Sequence, residues 1–136
     1  MHREFVIFTN NPMVKAELSD DYELIFKELP FKEFLEFLGD KVLEGYPLLT
    51  HPLSGSVKPG ETPYKSVLMA KRPLSRCANG CESCEELNFS EKLISNALTS
   101  YEKFKLRPDR FASDVLKDLQ LIDLTLIKSA IESAIA

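Results

Sequence analysis

Three groups of residues in this 136-residue chain have types and spacing suited to chemistry. Thr9, Asn10 and Asn11 follow a short apolar run, Phe5-Val6-Ile7-Phe8, and precede Pro12. His51 closes the stretch Leu48-Leu49-Thr50 and is followed by Ser54, Gly55, Ser56 and Lys58. Cys77, Cys81 and Cys84 form a C-x3-C-x2-C group. The first two groups offer amides, hydroxyls, an imidazole and an ammonium. Such groups hold a carboxylate or phosphate, and His51 can move a proton near neutral pH. The loop has neither the Gly-Lys-Ser/Thr ending of a nucleotide P-loop nor the spaced glycines of a dinucleotide fingerprint, so nothing points to nucleotide hydrolysis. The same residues also have a plainer reading. Asn11 and Pro12 are a helix cap and first turn, while Pro52, Gly55, Pro59, Gly60 and Pro63 shape a long turn. His51 then serves as a ring bonded to a loop carbonyl. Its only companion histidine is His2, which excludes a multi-histidine metal site.

Three thiolates can hold an iron–sulfur cluster, and the C-x3-C-x2-C spacing also occurs in radical enzymes that use S-adenosylmethionine. The chain is short for the barrel of those enzymes, the motif lies late, and Ser83 stands where an aromatic residue is usual. Zinc would need a fourth ligand such as Glu85, Glu86 or His51. Reduced surface thiols are the simplest state, so no metal and no cofactor is expected.

The elements that position these residues follow from periodicity. Phe5–Phe8 reads as a strand buried on both faces. Asn11 and Pro12 then open a short helix through Leu18. Tyr22–Leu29 reads as a second strand. From Phe31 the period changes: Phe31, Phe34, Leu35, Leu38, Val42 and Leu43 share one helical face up to Gly45, a C-cap glycine. Leu48–Thr50 is expected as a third strand, parallel to the first, and Tyr64–Ala70 as a fourth of undetermined direction. Residues 72–87 read as a cysteine-containing loop. Asn88 and Glu91 have capping-box spacing before a helix carrying Leu93, Ile94, Ala97, Leu98, Tyr101 and Phe104. Arg107-Pro108-Asp109 breaks it. Ser113 then caps a short helix, and Asp123 caps the last one. The expectation is one α/β domain over residues 1–136, a small three-layer sandwich with a mostly parallel four-stranded sheet and C-terminal helices.

Composition narrows the partners. A net charge of −4 argues against a general nucleic-acid binder, and Lys65, Lys71, Arg72 and Arg76 read as a solvated strand end. No apolar run approaches the roughly 20 residues of a membrane helix. With no signal-like start and three crowded cysteines, the expected compartment is the cytoplasm. The apolar helical faces are core, although one could serve a homo-oligomer.

Three stretches in order resemble the GrdX family. They are Thr9-Asn10-Asn11-Pro12, then Leu48 to Pro59 continuing through Glu61-Thr62-Pro63-Tyr64-Lys65-Ser66, and finally Leu121-Ile122-Asp123-Leu124. The resemblance implies association with the glycine, sarcosine and betaine reductase systems of anaerobic bacteria. It brings no catalytic residue with it, and the cysteine group is not part of the pattern. The resulting expectation is a non-enzymatic accessory or small-ligand-binding protein. Its candidate ligand-binding residues are Thr9, Asn10, Asn11, His51, Ser54, Gly55, Ser56 and Lys58, and its partner is a small anionic metabolite or a reductase component. Two alternatives stand beside it: a small enzyme using His51 as acid–base in a strand-end crevice, and a purely structural partner in a larger complex.

Overall fold

The computed structural model describes residues 4–52, 62–75, 82–103 and 112–135. The opening apolar run forms β1 (Phe5–Thr9), and Asn11 caps α1 (Pro12–Leu18), its side chain accepting from the Met13 N–H. Next come β2 (Leu24–Phe26), α2 (Phe31–Leu43), β3 (Ser66–Ala70), α3 (Glu82–Lys103) and α4 (Ser113–Ile135). Among the described residues the sheet has three strands in the order β2-β1-β3, with β1 parallel to β2 and antiparallel to β3.

Strand alternation sends the side chains of β1 and β3 to two separate cores. Val6, Phe8, Val67 and Met69 pack against Phe34, Leu35, Leu38 and Val42 of α2 and Leu87, Ile94 and Ala97 of α3. Ile7 and Leu68 face the other way, onto Val14 and Leu18 of α1 and Leu124, Ile127 and Ile131 of α4. Helices therefore cover both faces, which is why the strands read as unbroken apolar runs. Burying each such side chain stabilises the fold by about 1.5–3 kcal/mol before conformational entropy is counted. No helix among the described residues is long and apolar enough to cross a membrane.

The expected four-stranded, mostly parallel sheet is overturned at Leu48–Thr50. This stretch makes one isolated antiparallel bridge, Leu48 with Met69, and β3 separates it from β1. The cause lies in Pro47 and Thr50. Pro47 has no N–H to donate and contributes only its carbonyl, which accepts from the Ala70 N–H (3.0 Å). The Leu49 N–H donates to the Leu68 carbonyl (2.8 Å), but the Leu68 N–H turns to the Thr50 hydroxyl (3.1 Å) rather than to backbone. The stretch thus covers the outer edge of β3 without becoming a strand, leaving fewer β3 backbone groups open to edge pairing. Ser90 of α3 anchors it by accepting from the Leu48 N–H (3.0 Å).

Two helix boundaries also differ from expectation. Helix α3 starts at Glu82, before Asn88, because Cys84 and Leu87 continue the buried stripe of Ile94 and Ala97 by more than a turn. Helix α4 runs unbroken through Asp123, whose carboxylate bonds sideways to the sheet instead of capping.

After α2 the chain turns at Gly45, with φ +110°, where the Gly45 carbonyl accepts from the Leu74 N–H (2.7 Å). A Cβ there would sit 2.8 Å from the Leu74 carbonyl oxygen. Gly45→Ala is expected to lower stability by about 1–3 kcal/mol, the usual cost of a side chain at such a φ. Urea unfolding of both proteins measures this, and equal midpoints would contradict it.

Candidate functional site

Thr9 and Ser66 are cross-strand partners at the end of the sheet that faces α4. Their neighbours on that face, Ile7 and Leu68, are apolar, so two hydroxyls at this position need partners. Helix α4 supplies one. Asp123 lies one and two turns before Ile127 and Ile131 on the buried stripe, and is itself only 5% exposed. The hydroxyls of Thr9 and Ser66 are 2.7 Å apart, and Ser66 donates to Asp123 Oδ2 (2.7 Å). The Ser66 N–H donates to Asp123 Oδ1 (3.1 Å), and Asn11 Nδ2 to Oδ2 (3.1 Å). Asn11 completes the circuit: its N–H donates to the Thr9 hydroxyl (2.9 Å) and its Nδ2 also reaches the Gln120 carbonyl (2.9 Å). The bonds form a directed chain, Asn11 N–H to Thr9 to Ser66 to Asp123, that ends on an acceptor.

Burial pushes the Asp123 carboxyl above its ordinary value of 3.8, while Ser66, Asn11 and the Lys65 charge pull it back part of the way. Lys65 is buried beside it, and burial pushes its ammonium below the ordinary 10.5, with the Asp123 charge acting against that. Both shifts have one cause: neither charge is well solvated at this end of the sheet.

The next residue along β1 points the other way. The Asn10 amide donates to the Leu29 carbonyl (3.0 Å) and to the Pro63 carbonyl (2.9 Å), and its Oδ1 accepts from the Lys65 N–H (2.8 Å). One side chain thereby ties the segment after β2 to the segment before β3. Between these segments and α1 lies an open cleft of about 540 Å³, lined among others by Asn10, Lys15, Phe26, Glu28, Pro63 and Tyr64. Tyr64 is held by Gln120 Nε2, which donates to its hydroxyl (2.8 Å). The Lys15 ammonium lies over the Phe26 ring, 5.0 Å from its centroid.

Of the residues singled out from sequence, Thr9, Asn10 and Asn11 come together here, but as builders. Asn11 is fully buried, and both amides spend their donors on the protein itself. The start of α1 is similarly occupied, with the Met13 N–H taken by Asn11 Oδ1 (3.0 Å) and the Lys15 N–H by the Asn11 carbonyl (3.2 Å). His51 is exposed, follows the Thr50 that covers the outer edge of β3, and does not line the cleft. Ser54, Gly55, Ser56 and Lys58 lie outside the described residues, as do Cys77 and Cys81. Cys84 is buried on α3. Among the described residues no His, Cys, Asp and Glu side chains gather into a group able to hold a metal ion.

The sequence reading missed Ser66 and Asp123 in the network, and Lys15, Phe26, Glu28 and Tyr64 in the cleft. Asp123 had a signal. It occupies a core-facing position four and eight residues before Ile127 and Ile131, where a solvent-facing cap residue does not belong. The cleft residues had none, because distant segments bring them together.

Asp123→Ala is expected to cost about 3 kcal/mol near neutral pH, since the two Ser66 donors lose their acceptor at about 1–3 kcal/mol each. The pH dependence has a defined sign. With a raised folded value, the proton-linked part of the Asp123 contribution is fully present below 3.8 and is lost as pH rises through the folded value, while the hydrogen bonds to Ser66 remain. The stability gap between wild type and variant should therefore narrow as pH rises above 3.8. Urea unfolding across pH measures it, and a gap that widens over that range would contradict the assignment.

Comparison with known proteins bears on this arrangement as a whole. No curated protein and no solved structure matches the chain. A family model described as GrdX-like protein matches residues 6–132, a span that takes in β1 from Val6 onward, both asparagines, the cleft and Asp123. The chain is therefore a member of the GrdX-like family.

Proposed function

We propose that this protein is a non-enzymatic accessory protein of glycine reductase-type amino-acid metabolism in the cytoplasm of an anaerobic bacterium, and that it binds a small anionic metabolite in the cleft beside Asn10. Membership of the GrdX-like family supports the metabolic setting. The observation that carries the binding reading is the Asn10 staple, which joins Leu29 and Pro63, two residues of the cleft wall. A cleft held at fixed width needs no reordering when a ligand enters, and that saves much of the usual cost of binding. The non-enzymatic reading follows from where the polar groups are spent. Thr9, Ser66, Asn11 and Asp123 saturate one another in the interior, away from any solvent-borne substrate.

The test is made in cells and with purified protein. Deleting the gene from a host with a glycine reductase should lower glycine-dependent reduction, and a His51→Ala copy should restore it as well as wild type does. The purified protein alone should turn over no glycine. A deletion without effect on glycine reduction would remove the metabolic assignment. A folded His51→Ala protein that fails to restore activity would instead favour an enzyme with an imidazole acid–base.

A further inference from the structure

The geometry points to a small zwitterionic amino acid as the ligand of this cleft, its carboxylate on Lys15 and its ammonium on Glu28. This rests on the reading of the cleft as a ligand site, and it narrows the small anionic metabolite to one whose carboxylate is accompanied by an ammonium. Three observations carry it.

The first is charge. Among the described residues the cleft is lined by one cation, Lys15, and one anion, Glu28. Among the described residues neither takes part in an ion pair, although Lys32, Lys41, Lys71 and Arg72 each have a carboxylate partner. The second is placement. The parallel ladder continues past β2 through the Lys27 N–H, which donates to the Thr9 carbonyl (2.9 Å). Phe26 and Glu28 are next-but-one neighbours here, and the chain turns at Glu28, where the Leu29 N–H donates to the Lys27 carbonyl (2.8 Å). Both line the cleft. Lys15 stands over Phe26, and Lys15 and Glu28 line the same cleft. The third is rigidity. Asn10 holds the walls together, Gln120 fixes Tyr64, and Pro12, Pro30 and Pro63 have restricted backbones where they line the opening.

Ligand choice then follows from repulsion as much as attraction. A simple anion on Lys15 meets the Glu28 carboxylate, and a simple cation on Glu28 meets the Lys15 ammonium. A zwitterion satisfies both through charge-assisted hydrogen bonds. The volume of about 540 Å³ lies within the usual range of roughly 300–1,000 Å³ for small-molecule sites.

The experiment is an NMR titration of the isotope-labelled full chain with glycine, acetate and methylamine, the last two carrying one charge each. Glycine should shift the amide signals of Lys15, Glu28 and Tyr64 saturably, and bind about tenfold or more tightly than either single-charge probe. Lys15→Met and Glu28→Gln should each weaken glycine about tenfold, with the rest of the spectrum unchanged because both side chains are exposed. Acetate binding as tightly as glycine, with Glu28→Gln having no effect, would overturn the proposal in favour of an anion site. So would the absence of saturable shifts at these residues. If glycine does not bind but gene deletion still lowers glycine reduction, this inference fails while the accessory reading stands. If glycine binds and deletion has no effect, the ligand class stands and the metabolic assignment falls.

Discussion

A carboxylate at the head of a buried helical stripe is the constraint around which this fold is arranged. Asp123 cannot be desolvated without donors. Among the described residues its hydrogen-bond donors are Asn11 and Ser66, at the ends of β1 and β3, and they favour one docking register of α4. The apolar contacts of Leu124, Ile127 and Ile131 with Ile7, Val14, Leu18 and Leu68 drive the docking. They are not strongly directional, and a one-turn slide of α4 would preserve much of that contact. A slide would also leave Asp123 against hydrocarbon and Ser66 without its acceptor. The polar network therefore acts as a register pin in an otherwise greasy interface, the role in which a buried polar group is best attested.

The same few residues also shape the opposite side of the sheet end. Strand alternation continues past β1, so Thr9 and Asn11 face α4 while Asn10 faces the segments that form the cleft. Adjacent asparagines thus have separate tasks, one holding a helix and one holding a cleft open. Lys65 and Ser66 mirror them from the other strand. The Lys65 backbone exchanges hydrogen bonds with Asn10, and Ser66 bonds to Asp123. This shared wiring couples α4 to the cleft walls, and Gln120 reinforces it by accepting from Asn11 through its carbonyl and donating to Tyr64 through its side chain.

Much of the element order was legible because burial leaves a periodic trace. The five buried residues of α2 follow the helical repeat, and β1, covered on both faces, reads as an unbroken apolar run. Asn11 and Pro12 announced α1 through local cap chemistry. What failed was reasoning about neighbours. Leu48–Thr50 is apolar and short enough to be a strand, yet nothing local reveals that Pro47 and a threonine hydroxyl reduce it to an edge cover. The motif asparagines were recognised as special for a sound reason, but their chemistry pointed inward. A polar residue beside a strand end can face solvent or partner a distant carboxylate, and only the long-range fold decides between them. Aspartate favours helix starts, and for that reason Asp123 reads as a cap. Its i+4 and i+8 isoleucine neighbours were the contrary evidence.

The central claim is that Ser66 and Asp123 act as one unit that holds α4 to the sheet. A double-mutant cycle tests it most directly: Ser66→Ala, Asp123→Ala and the pair, each unfolded in urea at constant pH. Strong coupling is expected, with the double variant less destabilised than the sum of the single variants by about 1–3 kcal/mol. Additivity within about 0.5 kcal/mol, the behaviour of independent sites, would contradict it.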